Sequence, residues 1–167
     1  MIAARNDITQ ERLKYLFRYE PDTGHFIRLV KTARRTKIGD IAGTRHNKGY
    51  WFIMVDGVKY LAHRLAWLYT TGEWPNDQID HIDLDKSNTR WLNLREANNS
   101  KNQGNKPVRS DSISGLKGAF KREGKWVSFI SVNGVRHHIG TFASPHLANA
   151  AYEVKAIELF GEFARAI

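Results

Sequence analysis

The chain has 167 residues, with 26 lysine and arginine side chains against 17 aspartate and glutamate, and its net charge is +9. Its hydrophobic content of 41% is too high for a disordered tail, and no apolar run approaches the roughly 20 residues of a transmembrane helix. We expect no secretory signal peptide, because the amino terminus lacks an apolar stretch. The absence of cysteine excludes disulfides and thiolate metal sites. The basic excess predicts a polyanionic partner, nucleic acid before an anionic membrane.

The first part of the chain is predicted to alternate short helices and strands. Thr9 is a suitable N-cap for a helix through Tyr19, and a turn at Pro21–Gly24 leads into a strand over residues 25–30. Strands over residues 50–55 and 58–62 are joined by Asp56-Gly57, a typical hairpin turn. A buried helix follows over residues 63–72 and ends at Gly72.

The basic excess is concentrated between Arg28 and Lys48, where seven basic residues stand with one acidic residue. This segment, the basic loop, lacks the amphipathic periodicity of a helix that lies on a membrane. A solvated surface loop is one interpretation. We favour a loop that contacts phosphates, because seven like charges repel each other unless an anion is near. Its candidate DNA contacts are Arg34, Arg35 and Lys37.

The end of the chain has a different pattern. Residues 108–113 are a polar linker between predicted domains over residues 1–107 and 114–167. Three strands over residues 116–121, 125–132 and 135–141 are joined by Glu123-Gly124 and Asn133-Gly134. Ser144 then caps a helix, whose apolar face is expected to hold Leu147, Ala150, Ala151, Val154, Ile157 and Leu159. The predicted fold class is α+β, with a three-stranded antiparallel sheet packed on one helix at the end.

One segment, residues 79–106, combines residue types that support metal-assisted chemistry. Asp80 and His81 are adjacent on a predicted strand, so their side chains point to opposite faces. Asn98, Asn102 and Asn105 share one face of the helix that follows. Carboxylate and amide oxygens suit Mg²⁺ or Mn²⁺, and imidazole suits general-base work near neutral pH. A metal and a base beside a phosphodiester would support its hydrolysis.

Asp80-His81-Ile82-Asp83, followed by Asn93-Leu94-Arg95 and an asparagine-rich segment, resembles the HNH (His-Asn-His) homing-type endonucleases of phages and mobile introns. The resemblance extends upstream through residues 60–75 and covers about residues 10–106. It implies the ββα-metal fold, in which two antiparallel strands and a helix surround one divalent ion. It also implies a protein encoded by a phage and acting in the cytoplasm of a bacterial host.

The resemblance assigns a role to each matching residue. Asp80 would be a metal ligand, His81 the general base, and Asn93 the residue that fixes the loop between the two strands. Asn102 would be the second ligand, at a position where many members have histidine, and Asn105 is the alternative by helix periodicity. An amide ligand favours Mg²⁺ or Mn²⁺ over zinc. Arg95 is either a phosphate clamp or a salt-bridge partner, and His63 is expected to be a packed, hydrogen-bonded histidine.

Residues 114–167 resemble the APETALA-type DNA-binding domain of plant transcription factors and phage HNH nucleases, through SGLKGAF, GKWVSFI, HIGTF, ANAAYEVKA and FGEFA. The resemblance implies a sheet in the major groove with the helix behind it. The residues facing DNA would be Lys117, Lys121, Phe129, Ser131, Arg136 and His138. Plant members carry charged residues where this chain has Phe129 and Ser131, so fewer bidentate guanine contacts are expected. A small protein-interaction domain is the alternative.

Together these observations predict an endonuclease that acts on double-stranded DNA and needs neither a membrane nor an obligate protein partner. A catalytically silent DNA-binding protein and an RNA-directed protein are the alternatives.

Overall fold

The structure is a computed structural model that describes residues 7–98, 102 and 104–164. The chain forms two compact units, Met1–Glu96 and Ala97–Ile167, whereas the sequence suggests a boundary near residue 107. Helices and several small sheets make up a mixed α+β chain. None of the helices in the described part of the chain has the length and apolar character to span a bilayer.

The first helix is shorter than the sequence predicts. Helix α1 (Gln10–Leu16) begins as expected, with the Thr9 hydroxyl accepting from the Arg12 amide at 3.2 Å. The predicted continuation through Tyr19 is wrong, because Phe17–Glu20 forms strand β1. Phe17 and Tyr19 are both buried, and alternate residues of a strand share one face, whereas in a helix they diverge. Strand β1 pairs antiparallel with β2 (His25–Arg28).

The predicted hairpin at Asp56-Gly57 is confirmed. Strands β3 (Thr44–Arg45), β4 (Trp51–Val55) and β5 (Val58–Leu61) form one antiparallel sheet in that order. Helix α2 (Ala62–Thr71) follows β5 directly and ends, as predicted, at a left-handed Gly72.

The core of the first unit is contributed by α1, α2 and the first two sheets, with Leu94 from further along the chain. Its buried members include Leu13, Phe17, Phe26, Ile53, Val55, Leu65 and Leu68. Strand β6 (Gln78–His81) then pairs with β7 (Leu94–Ala97), which follows a 3₁₀ turn at Trp91–Asn93.

The turn between β1 and β2 is attached to the segment just before β7. The Tyr19 hydroxyl donates to the carbonyl of Thr89 at 2.6 Å, and the Thr89 hydroxyl donates to the carbonyl of Gly24 at 2.7 Å. The Trp91 amide donates to the carbonyl of Pro21. Gly24 has a φ of +77°, and an added Cβ would lie 2.6 Å from the main chain of Thr89 and Arg90. The turn therefore supports the β6–β7 connection through a contact that only glycine allows.

The second unit contains the sheet and helix expected from its sequence. Strands β8 (Phe120–Arg122), β9 (Lys125–Val132) and β10 (Val135–Phe142) form an antiparallel sheet in the order β10-β9-β8. Positive φ angles at Glu123, Gly124, Asn133 and Gly134 agree with the two predicted tight turns. Helix α3 (Pro145–Phe160) is capped by the Ser144 hydroxyl, which accepts from the Leu147 amide. A 3₁₀ turn follows at Gly161–Phe163.

Two expectations for this unit are wrong. Helix α3 buries Ala148, Tyr152, Ala156 and Phe160, whereas Leu147, Val154, Ile157 and Leu159 of the predicted face are exposed. Small alanines let the helix approach the sheet closely, and the two aromatic residues fill the remaining space. Strand β8 begins at Phe120 rather than residue 116, because Gly118 has a φ of +72° and its main chain lies against the Tyr152 ring.

Gly24→Ala should destabilise the protein much more than Gly57→Ala. Both glycines have φ near +80°, but a Cβ at Gly57 would meet nothing within 4 Å. Left-handed backbone alone costs about 1–2 kcal/mol, and displacing the contacting main chain should add at least about 1 kcal/mol for Gly24. Urea unfolding followed by tryptophan fluorescence measures the difference. Equal losses for the two variants would contradict the proposed contact.

Candidate active site

The loop between β6 and β7 is held by the side chain of Asn93. Its Oδ1 accepts from the Asp83 amide at 3.0 Å, and its Nδ2 donates to the Asp83 carboxylate and to the carbonyl of Asn88, both at 2.9 Å. The Asp83 carboxylate also accepts from the Asp85 amide and from the Asn88 side chain. These bonds explain how a polar loop that contains Leu84 at a φ of +67° keeps one conformation.

His81 lies at the end of β6 and is 5% exposed. Its ring contacts the ring of His63 edge to face, with centroids 4.9 Å apart and planes at 83°. Tyr50 lies beside both imidazoles, at 5.5 Å from His63 and 6.2 Å from His81, and the Lys86 ammonium lies 5.2 Å from the Tyr50 centroid. Three parts of the chain therefore meet at this imidazole pair: His63 at the start of α2, Tyr50 just before β4, and His81 at the end of β6.

Burial favours the neutral form of both imidazoles. It lowers the pKa of His81, although the carboxylates of Asp83, Asp80 and Asp85 act in the opposite direction. Burial lowers the pKa of His63 to about 3, with smaller contributions from His81 and Arg64. A neutral imidazole has a ring nitrogen that can accept a proton.

His63 is packed as expected but differs in its hydrogen bonding. The sequence predicts a hydrogen-bonded histidine, whereas Nδ1 of His63 is buried and has no hydrogen-bond partner among the residues that the structure describes. A buried polar atom without a partner is costly. Its ring contacts with His81 and Tyr50 place it directly against the candidate base.

Asp80 and His81 point to opposite faces of β6, as strand geometry requires. The Asp80 carboxylate accepts from Nε and Nη2 of Arg95 at 3.1 and 3.0 Å, and both side chains are nearly buried. Of the two roles that the sequence leaves open for Arg95, the structure shows the ion pair. A carboxylate has about four lone-pair sites, so it can accept a guanidinium and still coordinate a cation.

The expected asparagine ligands lie in the second unit. Asn102 is helical and half-buried, and Asn105 is helical and 4% exposed, so Asn102 is the more accessible of the two. Much of the predicted helix, residues 99–101 and 103, lies outside the described residues. Within the described residues, no group of three or more histidine, cysteine, aspartate or glutamate side chains is arranged to hold a metal ion.

The basic loop is ordered by its main chain and leaves its charges outside. The Asp40 carboxylate accepts from the Lys37 amide at 2.8 Å, and the Asp40 carbonyl accepts from the Arg28 amide at 2.9 Å. Arg34, Arg35 and Lys37 are exposed. A fixed backbone that presents exposed cations is well suited to contact phosphates.

The sheet of the second unit presents an aromatic and cationic row on one face. Phe120 stacks on Phe129 with centroids 4.2 Å apart, and the Arg136 guanidinium lies 4.1 Å from the Phe129 centroid. Ser131 is directly opposite Arg136, and His138 is directly opposite Phe129. Four predicted DNA-facing residues, Phe129, Ser131, Arg136 and His138, therefore share a face, because directly opposed residues lie on the same side of a sheet.

Two predicted DNA contacts are placed differently. Lys121 is directly opposite Trp126, so it lies on the other face from Phe129, and Phe120 takes the place that the sequence interpretation gave to it. The Lys117 ammonium donates to the carbonyl of Gly104 at 2.6 Å, which ties it to its own unit. An error of one residue in the predicted register moves a side chain to the opposite face of the sheet.

Two comparisons with known proteins relate part of this chain to HNH endonucleases. A family model described as HNH endonuclease matches residues 60–103. The chain is 36% identical over 109 residues to a protein of Acanthamoeba polyphaga mimivirus described as an uncharacterized HNH endonuclease. That match covers 64% of this chain and 56% of the relative, so the chain spans about half of the relative's length. No solved structure matches the chain significantly. The segment matched by the family model contains α2, β6, the Asn93 loop and β7.

Sequence reasoning did not place Tyr50 and His63 beside His81. Nothing in the local pattern signals the contact, because these residues lie in separate elements that meet only through the packing of β4, α2 and β6. The side-chain hydrogen bonds of the loop are easier to predict from sequence, because Asp and Asn side chains commonly hydrogen-bond the main chain two residues away. The Asp83 carboxylate makes contacts of this kind with the Asp85 amide and the Asn88 side chain.

The buried His63 should make stability depend on pH. Its pKa is about 3 when folded and near 6.5 when unfolded, so the unfolded chain binds the extra proton below pH 6.5. Stability should therefore fall as the pH falls, by about 2 kcal/mol from pH 7 to pH 5 from this residue alone. Urea unfolding at both pH values measures this loss.

His63→Gln should reduce that pH dependence, and the exposed His25 offers the matched control variant His25→Gln. Some dependence should remain in His63→Gln, because the pKa of His81 is also lowered by burial. If both variants kept the parental slope, His63 would not be the buried neutral group described above.

Proposed function

We propose that this protein is a DNA endonuclease that hydrolyses a phosphodiester with one divalent cation and His81 as general base, and that its second unit binds the duplex. The observation that carries the proposal is the Asn93-held loop, which directly follows the shielded imidazole of His81 within the segment matched by the HNH endonuclease family.

His81 is suited to remove a proton from the attacking water. The Asn93 contacts fix the main chain on both sides of the loop, and the Ile82 amide donates to the carbonyl of Asn93 at 3.0 Å directly after His81. The rings of His63 and Tyr50 restrict the orientation of the imidazole. A base held in one orientation loses little entropy when it removes a proton from the water that attacks phosphorus.

Asp80 is the described residue that would hold the divalent cation, with Asn102 as the second ligand by family resemblance. Both offer hard oxygen donors, which fits Mg²⁺ or Mn²⁺. A bound cation would supply stabilisation of the negative charge that develops on the phosphate. Arg95, paired with Asp80, orients the carboxylate and neutralises it until a cation binds.

Duplex binding would use two surfaces. The basic loop offers Arg34, Arg35 and Lys37 to phosphates, which supplies affinity without sequence preference. The sheet face of the second unit, with Arg136 held against Phe129, offers one guanidinium in a fixed position for a base edge or a phosphate. His138 and Ser131 add hydrogen-bonding groups to the same face. One stacked arginine predicts weak sequence preference from this unit.

A catalytically silent DNA-binding protein is the second candidate. The Asp80–Arg95 ion pair favours it, because a guanidinium already neutralises the carboxylate that would bind the cation. The two candidates differ in whether Mg²⁺ produces nicked plasmid and whether EDTA abolishes the nicking.

His81→Ala should lower the rate of plasmid nicking by about 10²–10⁴-fold, the usual contribution of a general base. Duplex affinity, measured by fluorescence anisotropy, should stay near the parental value, because His81 is buried and contributes no surface charge. His25→Ala, at an exposed position in β2, is the matched control and should nick normally. Parental nicking by His81→Ala with Mg²⁺ would refute the assignment of the base.

Replacing Arg34, Arg35 and Lys37 together with alanine should weaken duplex binding and flatten its salt dependence. Each phosphate contact contributes about 0.9 to the slope of log affinity against log salt, so the slope should fall by up to about 3. Lys59→Ala, an exposed position in β5, should change the slope by no more than about 1. An unchanged slope in the triple variant would show that the basic loop does not touch DNA.

A further inference from the structure

The central strand of the second unit has an open edge. Strand β8 pairs only with Lys125–Val127, although β9 continues to Val132. Residues 128–132 of β9 therefore have a strand neighbour on the β10 side but none on the β8 side. An open edge presents main-chain donors and acceptors that another extended chain can pair with.

The direction of these groups follows from the register. The Asn133-Gly134 turn closes on the pair Val132 and Val135, which is hydrogen-bonded in a two-residue hairpin, and the bonding alternates along the strand. The main chain of Ser131 and Phe129 therefore points away from β10, toward the open edge. Within the described part of the chain, no loop hydrogen bond reaches these amides or carbonyls.

A groove of about 540 Å³ lies along this edge, bounded on its far side by residues 106–113. Its volume is in the range of ligand-binding clefts. The lining includes the rings of Phe120, Phe129 and Tyr152 together with Leu116. The groove therefore combines an unpaired strand edge with apolar surface for side chains.

The charge of the groove favours an acidic occupant. Lys106, Lys117 and Lys121 line it, and its one acidic lining residue is Asp111. The Asp111 carboxylate is held by both nitrogens of the Arg109 fork at 2.9 and 2.7 Å, so it is neutralised within the groove wall.

We propose that this groove binds an extended acidic peptide segment of a partner protein, which adds to β9 as a fourth strand. Ser131 and Phe129 each offer a donor and an acceptor, and a peptide main chain satisfies both kinds of group. A nucleic-acid strand also carries the matching charge, but its phosphates only accept hydrogen bonds and cannot pair with the carbonyls as the regularly spaced amides of a peptide can. This interaction surface is independent of any nuclease activity.

The first test uses a fluorescein-labelled octapeptide of alternating valine and glutamate, titrated with the full-length protein and followed by anisotropy. Two further peptides carry N-methyl groups on the odd or on the even residues. Because only alternate amides of a strand face its neighbour, one methylated peptide should bind at least 10-fold more weakly and the other should bind nearly as well as the parent. No saturable binding, or equal effects of the two methylations, would overturn the proposal.

The second test changes the protein. Ser131→Pro removes the amide N–H that faces the open edge but keeps the hydrogen bonds to β10. Ser131→Ala is its control, because both variants lose the serine hydroxyl and only alanine keeps the N–H. Peptide affinity should fall at least 10-fold in Ser131→Pro relative to Ser131→Ala, with circular dichroism confirming that both are folded. Lys121→Glu should weaken binding through charge. Equal affinity of the two Ser131 variants, or displacement of the bound peptide by an oligothymidylate in the triple variant that lacks Arg34, Arg35 and Lys37, would refute the peptide assignment.

Discussion

The candidate site depends on one amide side chain. Asn93 accepts from the Asp83 amide and donates to the Asp83 carboxylate and to the carbonyl of Asn88. Only a primary amide carries an acceptor and two donors in this geometry, and aspartate would place a second carboxylate beside Asp83. The contacts close the connection between β6 and β7, so they set both the position of His81 at the end of one strand and of Arg95 on the other.

The imidazole pair shows how packing and chemistry are linked in the first unit. His63 lies in the first turn of α2, whose following residues Leu65, Ala66 and Leu68 are buried in the core. The apolar face of the helix therefore carries His63 into the interior and against His81. Desolvation opposes protonation of both rings, which costs stability in acid. The same burial that destabilises the fold in acid therefore disfavours the protonated form of the candidate base.

Local chemistry explains which features the sequence predicted. The cap at Thr9, the turn at Asp56-Gly57 and the end of α2 at Gly72 depend on residues within a few positions of each other, and all three are present. Phe17 was misassigned because it extends the helical spacing of Leu13 and Leu16, while pairing with β2 makes it a strand residue. That choice is made by a tertiary contact, and no local pattern contains it.

The helix of the second unit was misjudged for a related reason. Counting large apolar residues selected Leu147 and Val154, but the sheet is contacted through Ala148, Tyr152 and Ala156. Because protein interiors are closely packed, the size and shape of a side chain decide whether it is buried there, and not its hydrophobicity alone. In the site, residue types such as Asp80 and His81 were recognisable from the sequence, whereas the ion pair with Arg95 and the contact with His63 depend on strand pairing and core packing.

The distribution of charge separates attraction from chemistry. The excess positive charge is concentrated in the exposed basic loop, whereas Arg95 forms an ion pair with Asp80 within the first unit. A buried pair of this kind adds little to the field outside, because its charges cancel at short range. Under the proposed function, Arg34, Arg35 and Lys37 would govern the approach of the duplex, and the residues around His81 would act on the phosphodiester. Substitutions in the basic loop would then alter encounter and affinity, whereas substitutions at the imidazole pair would alter the chemical step.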